Sequence, residues 1–266
     1  METYQAIILA IVQGLTEFLP ISSSAHLAMS PILLGWPDQG LAFDVAVHVG
    51  TLAAVLLYYR RDLLSMAQSW FGSLVGKGHD DNSRLVWYLA LATVPVGIVG
   101  VLGKDFIEAE LRSLFVIATT TLVFGLLLGI ADLLARGKTK AVSMTISIAL
   151  LIGLAQALAP IPGVSRSGVT ITAALLLGMD RQSAARFSFL LSIPVIVSAG
   201  GLMAAELYSS DALVNWSQLA LGVLVSAVTA YLCIALFLKL LDRYGLMPYV
   251  YYRVILAVGL YLLISV

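Results

Sequence analysis

The chain has 266 residues, of which 60% are hydrophobic and only 11% charged, about half the charged share of an ordinary soluble domain. Fifteen bases balance fifteen acids, so net charge points to no nucleic acid or other polyionic partner, and a single cysteine, Cys233, excludes an internal disulfide and a cysteine metal cluster. Water alone is excluded as the solvent, and the composition predicts an all-α integral membrane protein forming one membrane domain over residues 1–266.

In chain order, Met1-Glu2-Thr3 carries an acid where a secretory leader would carry Lys or Arg, so no cleaved leader is expected. Residues 4–35 are long enough to cross a bilayer but are interrupted by the polar, Pro-containing stretch Gln13 to His26. Each flank is about ten residues, roughly 15 Å of helix, or half of a 30 Å hydrocarbon core, which predicts a re-entrant helix–loop–helix hairpin. Three spans follow at roughly 41–59, 85–103 and 113–135. In the first of them Asp44 and His48, four residues apart, read as an interfacial hydrogen-bonded pair, with a place in a pocket wall as the alternative. The Gly97-Gly100-Gly103 series and the Gly125/Gly129 pair read as close helix packing. Residues 141–178 repeat the first pattern, with Gln156 to Ser167 as the interruption, and predict a second hairpin. Spans at roughly 187–205, 213–238 and 249–266 complete the chain, and Trp36, Trp70, Trp87 and Trp216 fall near span ends as interface anchors.

If each hairpin returns to its own side, twelve bases, Arg253 among them with Lys138 and Lys140, share one face of the membrane. Only Lys104 and Arg112 fall on the other, so the first face is expected to be cytoplasmic and both termini external. A shift of 143 residues lays Gln13–Gly35 over Gln156–Gly178 without a gap, matching Gln13, Leu15, Ser22, Ser24, Leu34 and Gly35 to identical residues. Each half, about 1–140 and about 141–266, then holds one hairpin and three spans. Three is odd, so the second copy is inverted and the two polar tips should meet near the midplane.

Those tips would gather Gln13, Glu17, Ser22, Ser23, Ser24 and His26 with Ser165, Arg166 and Ser167. Burying an acid, a base and an imidazole costs several kcal/mol unless each finds a partner, so the cluster needs a purpose. The Arg166 fork and the hydroxyls of Ser22, Ser24, Ser165 and Ser167, at the start of half-helices, suit phosphate oxygens. A serine hydroxyl with His26 within a turn supplies a nucleophile and a proton acceptor, and Glu17 can orient the imidazole or, with Gln13, hold a divalent cation. Among the three consecutive serines Ser23 is the expected nucleophile, because the repeat lays it over Arg166. The structural alternatives are a buried Glu17–Arg166 pair and serines bonded to helix carbonyls.

Gln13-x-x-x-Glu17 running into Phe18-Leu-Pro-Ile-Ser-Ser-Ser-Ala-His26, together with Pro162-Gly-Val-Ser-Arg-Ser-Gly-Val-Thr170, resembles the two signature motifs of the undecaprenyl-diphosphate phosphatases, also called bacitracin-resistance proteins. The resemblance covers essentially the whole chain. It implies a bacterial inner-membrane enzyme that removes the terminal phosphate of undecaprenyl diphosphate, with a divalent cation, Mg2+ or Ca2+, and a pocket open to the outer face. Residue by residue it implies Glu17 as the essential acid, Ser23 as nucleophile, His26 as acid/base and Arg166 as phosphate ligand, while Gln13 stands where the motif accepts Glu or Gln. The rival class is an inverted-repeat transporter or flippase of a phosphorylated lipid, since broken helices in an inverted repeat also serve alternating access. The serine–histidine pair beside Arg166 favours the enzyme, because transport needs no nucleophile.

Overall fold

The structure, a computed structural model, describes residues 1–136, 142–208 and 215–265. The expected cytoplasmic bases Lys138 and Lys140 and the outer ends of the spans drawn at 213 and 266 lie outside the described residues. Everything regular among the described residues is helical. In chain order the helices are α1 (Thr3–Thr16), α2 (Ser23–Leu34), α3 (Leu41–Tyr58), α4 (Arg60–Leu74), α5 (Asp81–Leu102), α6 (Lys104–Glu110), α7 (Leu114–Ala135), α8 (Ile146–Gln156), α9 (Arg166–Leu176), α10 (Arg181–Tyr208), α11 (Trp216–Tyr244) and α12 (Met247–Ile264).

Six of these, α3, α5, α7, α10, α11 and α12, are long and apolar enough to cross a membrane, and they fall on the six expected segments. The four shorter ones come in two broken pairs. At 1.5 Å per residue the 14 residues of α1, 12 of α2 and 11 each of α8 and α9 reach only about 16–21 Å, short of a roughly 30 Å core. The breaks follow from the sequence: Pro20 interrupts the chain after α1, and Pro160, Pro162 and Gly163, the last at φ +89°, do so after α8. The second helix of each pair begins on a serine cap at positive φ, Ser22 at 74° and Ser165 at 71°. Each cap accepts a hydrogen bond from the backbone three residues on, Ala25 N and Gly168 N.

The main core is built where α9, α10 and the inner faces of α5, α7, α8, α11 and α12 meet, around Phe18, Phe189, Phe237, Leu190 and Ile171. Against it α1 and α11 pack closely: a side chain at Gly14 would come within 2.8 Å of the Ser226 carbonyl oxygen. Two short helices were not expected. The charged stretch after residue 59 forms α4, of which only Met66 is buried, held to α10 by an Asp62–Arg186 ion pair at 2.8 Å. The segment Lys104–Glu110 forms α6.

The glycine reading is corrected in part. A side chain at Gly125 or Gly129 would press on Arg253 or Val250, as close α7–α12 packing requires, but Gly97 and Gly100 have nothing within 4 Å and face open space. Arg253 is also corrected. It is fully buried in α12 and not at an aqueous face, so the expected cytoplasmic count falls to eleven.

Candidate active site

Glu17 ends α1 with its side chain 8% exposed, and both carboxylate oxygens are engaged. Oε2 accepts from the Ser23 hydroxyl at 2.7 Å and from Gln13 Nε2 at 3.1 Å; Oε1 accepts from Arg166 Nη2 at 2.9 Å. The Arg166 Nη1 donates to the Ser188 carbonyl at 3.0 Å, and its guanidinium lies 5.9 Å from the Phe18 ring centroid. The two residues that the 143-residue shift superposes, Ser23 and Arg166, are thus joined through one carboxylate. A buried acid–base pair is costly to desolvate unless its other groups find partners; here both Glu17 oxygens are engaged, and Arg166 spends one bond on Glu17 and one on the Ser188 carbonyl.

Local structure explains the placement. Ser23 and Arg166 are the first residues of α2 and α9, so their side chains share one place with the positive ends of two helices. The Ser22 and Ser165 caps fold the turns, and their hydroxyls touch those of Ser24 and Ser167 at 3.2 and 3.3 Å.

All of this opens on a cavity of about 320 Å³. Its polar end is Glu17, Ser22, Ser23, Ser24, Ser165 and Arg166, and its long wall is apolar, from Val96, Gly97 and Gly100 of α5 to Val195, Ile196 and Leu202 of α10. A polar floor under an apolar trough suits a ligand with a charged head and a hydrocarbon chain.

Of the expected site residues, Glu17, Ser22, Ser23, Ser24, Ser165 and Arg166 line the cavity, whereas Gln13, His26 and Ser167 do not. Ser167 donates to the Leu19 carbonyl at 2.9 Å and so ties the second tip to the first. His26 Nδ1 sits 2.6 Å from the Ser22 carbonyl, and since a carbonyl only accepts, that nitrogen carries the proton. Its Nε2 meets the Tyr252 hydroxyl at 2.5 Å. The imidazole in the cavity wall is His48, whose Nε2 stands 3.9 Å from Glu17 Oε2. Its partner is the Asp44 backbone carbonyl at 2.7 Å, while the Asp44 carboxylate takes a bond from Gln39, so no Asp44–His48 side-chain pair forms.

Among the described residues no three His, Cys, Asp or Glu side chains gather as a metal cage. The donor set at the tips is one carboxylate, Glu17, with the buried and unpartnered Oε1 of Gln13 beside it. That set fits a hard cation only if phosphate oxygens and water fill most of its shell, the manner in which magnesium is commonly held on diphosphates.

Sequence reasoning missed Arg253. Its guanidinium donates to the carbonyls of Thr121 (3.0 Å), Pro20 (3.1 Å), Val164 (3.2 Å), Gly163 (2.7 Å) and Thr120 (3.4 Å). The available signal was a lone base inside an apolar segment, but its nearness to the span end made it read as interfacial.

Known proteins resemble the chain over nearly its whole length. The family model described as bacitracin resistance protein BacA matches residues 6–259. The chain is 56% identical over 264 residues to an undecaprenyl-diphosphatase of Saccharophagus degradans, covering 99% of both chains. It is also 56% identical over 260 residues to one of Alcanivorax borkumensis, covering 98% of both. To undecaprenyl-diphosphatase 2 of Stutzerimonas stutzeri it is 55% identical over 268 residues, covering 100% of this chain and 99% of that one.

Proposed function

Because the chain belongs to the bacitracin resistance protein BacA family, we infer that it is a membrane phosphatase that hydrolyses the terminal phosphate of undecaprenyl diphosphate, yielding the monophosphate carrier for cell-wall synthesis. The observation that carries the reading is the Ser23–Glu17–Arg166 line at the head of an apolar cavity: a hydroxyl bonded to a carboxylate base, beside a guanidinium, is equipment for phosphoryl transfer.

In the proposed reaction the diphosphate enters head first, with its chain along α5 and α10. The Arg166 fork and the first N–H groups of α2 and α9 take the terminal phosphate oxygens. The Ser23 Oγ attacks the phosphorus while its proton passes to Glu17, and the bond from phosphorus to the bridging oxygen breaks, releasing the prenyl monophosphate. Water then attacks the phosphoserine and gives a proton to His48; the bond from phosphorus to Ser23 Oγ breaks, inorganic phosphate leaves, and Glu17 returns its proton to restore the Ser23 hydroxyl. His26 supports this from behind by holding the Ser22 carbonyl, which shapes the serine turn. A divalent cation would be held by Glu17 and Gln13 together with the diphosphate, and it would neutralise phosphate charge.

We also read the two broken pairs as re-entrant hairpins of an inverted repeat. The odd number of spans per half and the eleven-to-two division of bases support that reading, under which the cavity mouth opens toward the outer face of a bacterial inner membrane. A reporter active only in the cytoplasm, fused after Val266, should stay silent; a strong signal would invert the topology. The enzymatic reading is tested by phosphate release from undecaprenyl diphosphate by purified protein with and without chelator. Binding and translocation of the lipid without phosphate release would favour the transporter instead.

A further inference from the structure

We infer that Arg253 is a positioning residue for this reaction, a clasp that holds the two tips so that the Ser23 hydroxyl and the Arg166 fork face the same phosphorus. This rests on the phosphatase reading above. Arg253 lies in α12 and lines no part of the cavity, yet its five N–H donors are spent on five backbone carbonyls drawn from three places. Pro20 belongs to the first tip, Gly163 and Val164 to the second, and Thr120 and Thr121 to α7. A single rigid plane is therefore referenced to both tips and to a spanning helix at once.

Two features separate a clasp from ordinary packing. The guanidinium is fully buried and has no carboxylate partner among the described residues, so its charge is compensated by carbonyl dipoles alone. An apolar side chain of similar volume would fill the space without that penalty. The second feature is backbone strain. Ser22 and Ser165 are the two non-glycine residues with positive φ among the described residues, and the three tip carbonyls that Arg253 holds, those of Pro20, Gly163 and Val164, lie one or two residues before them. Strained conformations persist where their surroundings over-determine them, and they cluster at functional sites. Glycines clear the path of the side chain: a Cβ at Gly125 would come within 2.9 Å of Arg253 Cβ, and one at Gly168 within 3.1 Å of Nη1.

A clasp that sets geometry without touching substrate has a kinetic signature. Misplacing a nucleophile by about 1 Å costs roughly a hundredfold in rate, while phosphate binding by Arg166 survives. In purified full-length protein Arg253→Met should lower kcat about a hundredfold with KM for the prenyl diphosphate within about twofold of wild type, and Arg253→Lys, which reaches fewer carbonyls, should recover about tenfold of that loss. If the Met variant fails to fold, Gly125→Ala asks the same question, because its methyl displaces Arg253 and leaves every polar group present; kcat should again fall at constant KM. A variant that melts earlier but turns over at the wild-type kcat would make Arg253 structural only. A rise in KM at unchanged kcat would make it a charge felt by the substrate, and either result overturns the clasp. Wild-type protein releasing no phosphate would instead sink the phosphatase reading, and the clasp with it.

Discussion

The two broken pairs are nearly the same object locally and different objects chemically. Each has a short helix, a proline-containing loop and a serine cap at φ near 70° whose hydroxyl takes the N–H three residues on and touches a second serine hydroxyl. Even the glutamines correspond: Gln13 and Gln156 are both fully buried, and both keep an unpartnered Oε1. The differences that bear on chemistry sit at three positions of the 143-residue register, where Glu17, Ser23 and His26 stand opposite Pro160, Arg166 and Val169. On the proposed reading, a duplicated scaffold supplies two helix N-termini, and substitutions within it supply base, nucleophile and phosphate ligand. Packing differs as well, with eight of eleven residues of α9 buried against four of twelve in α2. The Arg166 tip is the more deeply buried, and the Ser23 tip, to which the proposed reaction assigns the nucleophile, is the more loosely covered.

The strongest way to break that division of labour is at Ser23. Ser23→Ala should reduce phosphate release by at least about a thousandfold while the protein still binds lipid, and Ser22→Ala and Ser24→Ala should lose less. Substantial activity in the Ser23 variant would move the nucleophile elsewhere, and trapping the phosphorylated protein and locating the modified residue by mass spectrometry would say where. On the opposite tip Arg166→Lys keeps the charge but not the fork that meets Glu17 and the Ser188 carbonyl, and turnover should fall about a hundredfold. Near-wild-type release from that variant would reduce Arg166 to a generic counter-charge. Glu17→Gln, which removes the charge and leaves one acceptor oxygen where Ser23 and Arg166 use two, should cost a similar factor of about a hundred and flatten the response to added divalent cation.

The two histidines sharpen the contrast between chemistry and scaffold on the first tip. His48 faces the cavity, so His48→Asn should slow the water step and let more phosphoserine be trapped at steady state. His26→Asn should disturb the serine turn and lower the trapped amount, because formation suffers first. More phosphoserine in the His26 variant would return the acid/base role to His26.

How much of this was legible in the sequence follows from what each signal measures. Hydropathy reports length and apolarity, and these place all six long helices. The polar interruptions and their register brought Ser23 and Arg166 to one carboxylate, because side chains at matched positions of a repeat meet when the copies do. Neither signal reports which of two histidines turns toward a cavity, since His26 and His48 are both one polar residue in apolar surroundings. Nor does either reveal Arg253, whose partners are main-chain carbonyls with no side-chain signature. Glycine spacing was ambiguous for a related reason: a missing side chain serves a tight contact and an open trough equally well.

That ambiguity gives the smallest prediction, on the seams beside the tips. In the proposed repeat α3 corresponds to α10 and α5 to α11, so the α3–α11 seam and the α5–α10 seam are counterparts. The first is shut: a Cβ at Gly50 would overlap the Ser226 hydroxyl and the Val223 carbonyl, and one at Gly222 would press on Phe43. The second gapes, with Gly97, Gly100 and Gly200 in the cavity wall and nothing within 4 Å of a side chain placed there. Gly50→Ala should therefore destabilise the protein by about 1–3 kcal/mol, because the clashing atoms include backbone that cannot turn aside. Gly97→Leu should leave the melting temperature unchanged or raise it slightly, since leucine is the better helix former by under about 1 kcal/mol. Its side chain would occupy the trough assigned to the hydrocarbon chain, so KM for the long-chain diphosphate should rise several-fold while a short-chain analogue, filling only the polar end, is cleaved as before. Equal kinetics for both substrates would take the chain out of that seam, and a loss of stability at Gly97 matching that at Gly50 would show that the two seams are closed alike.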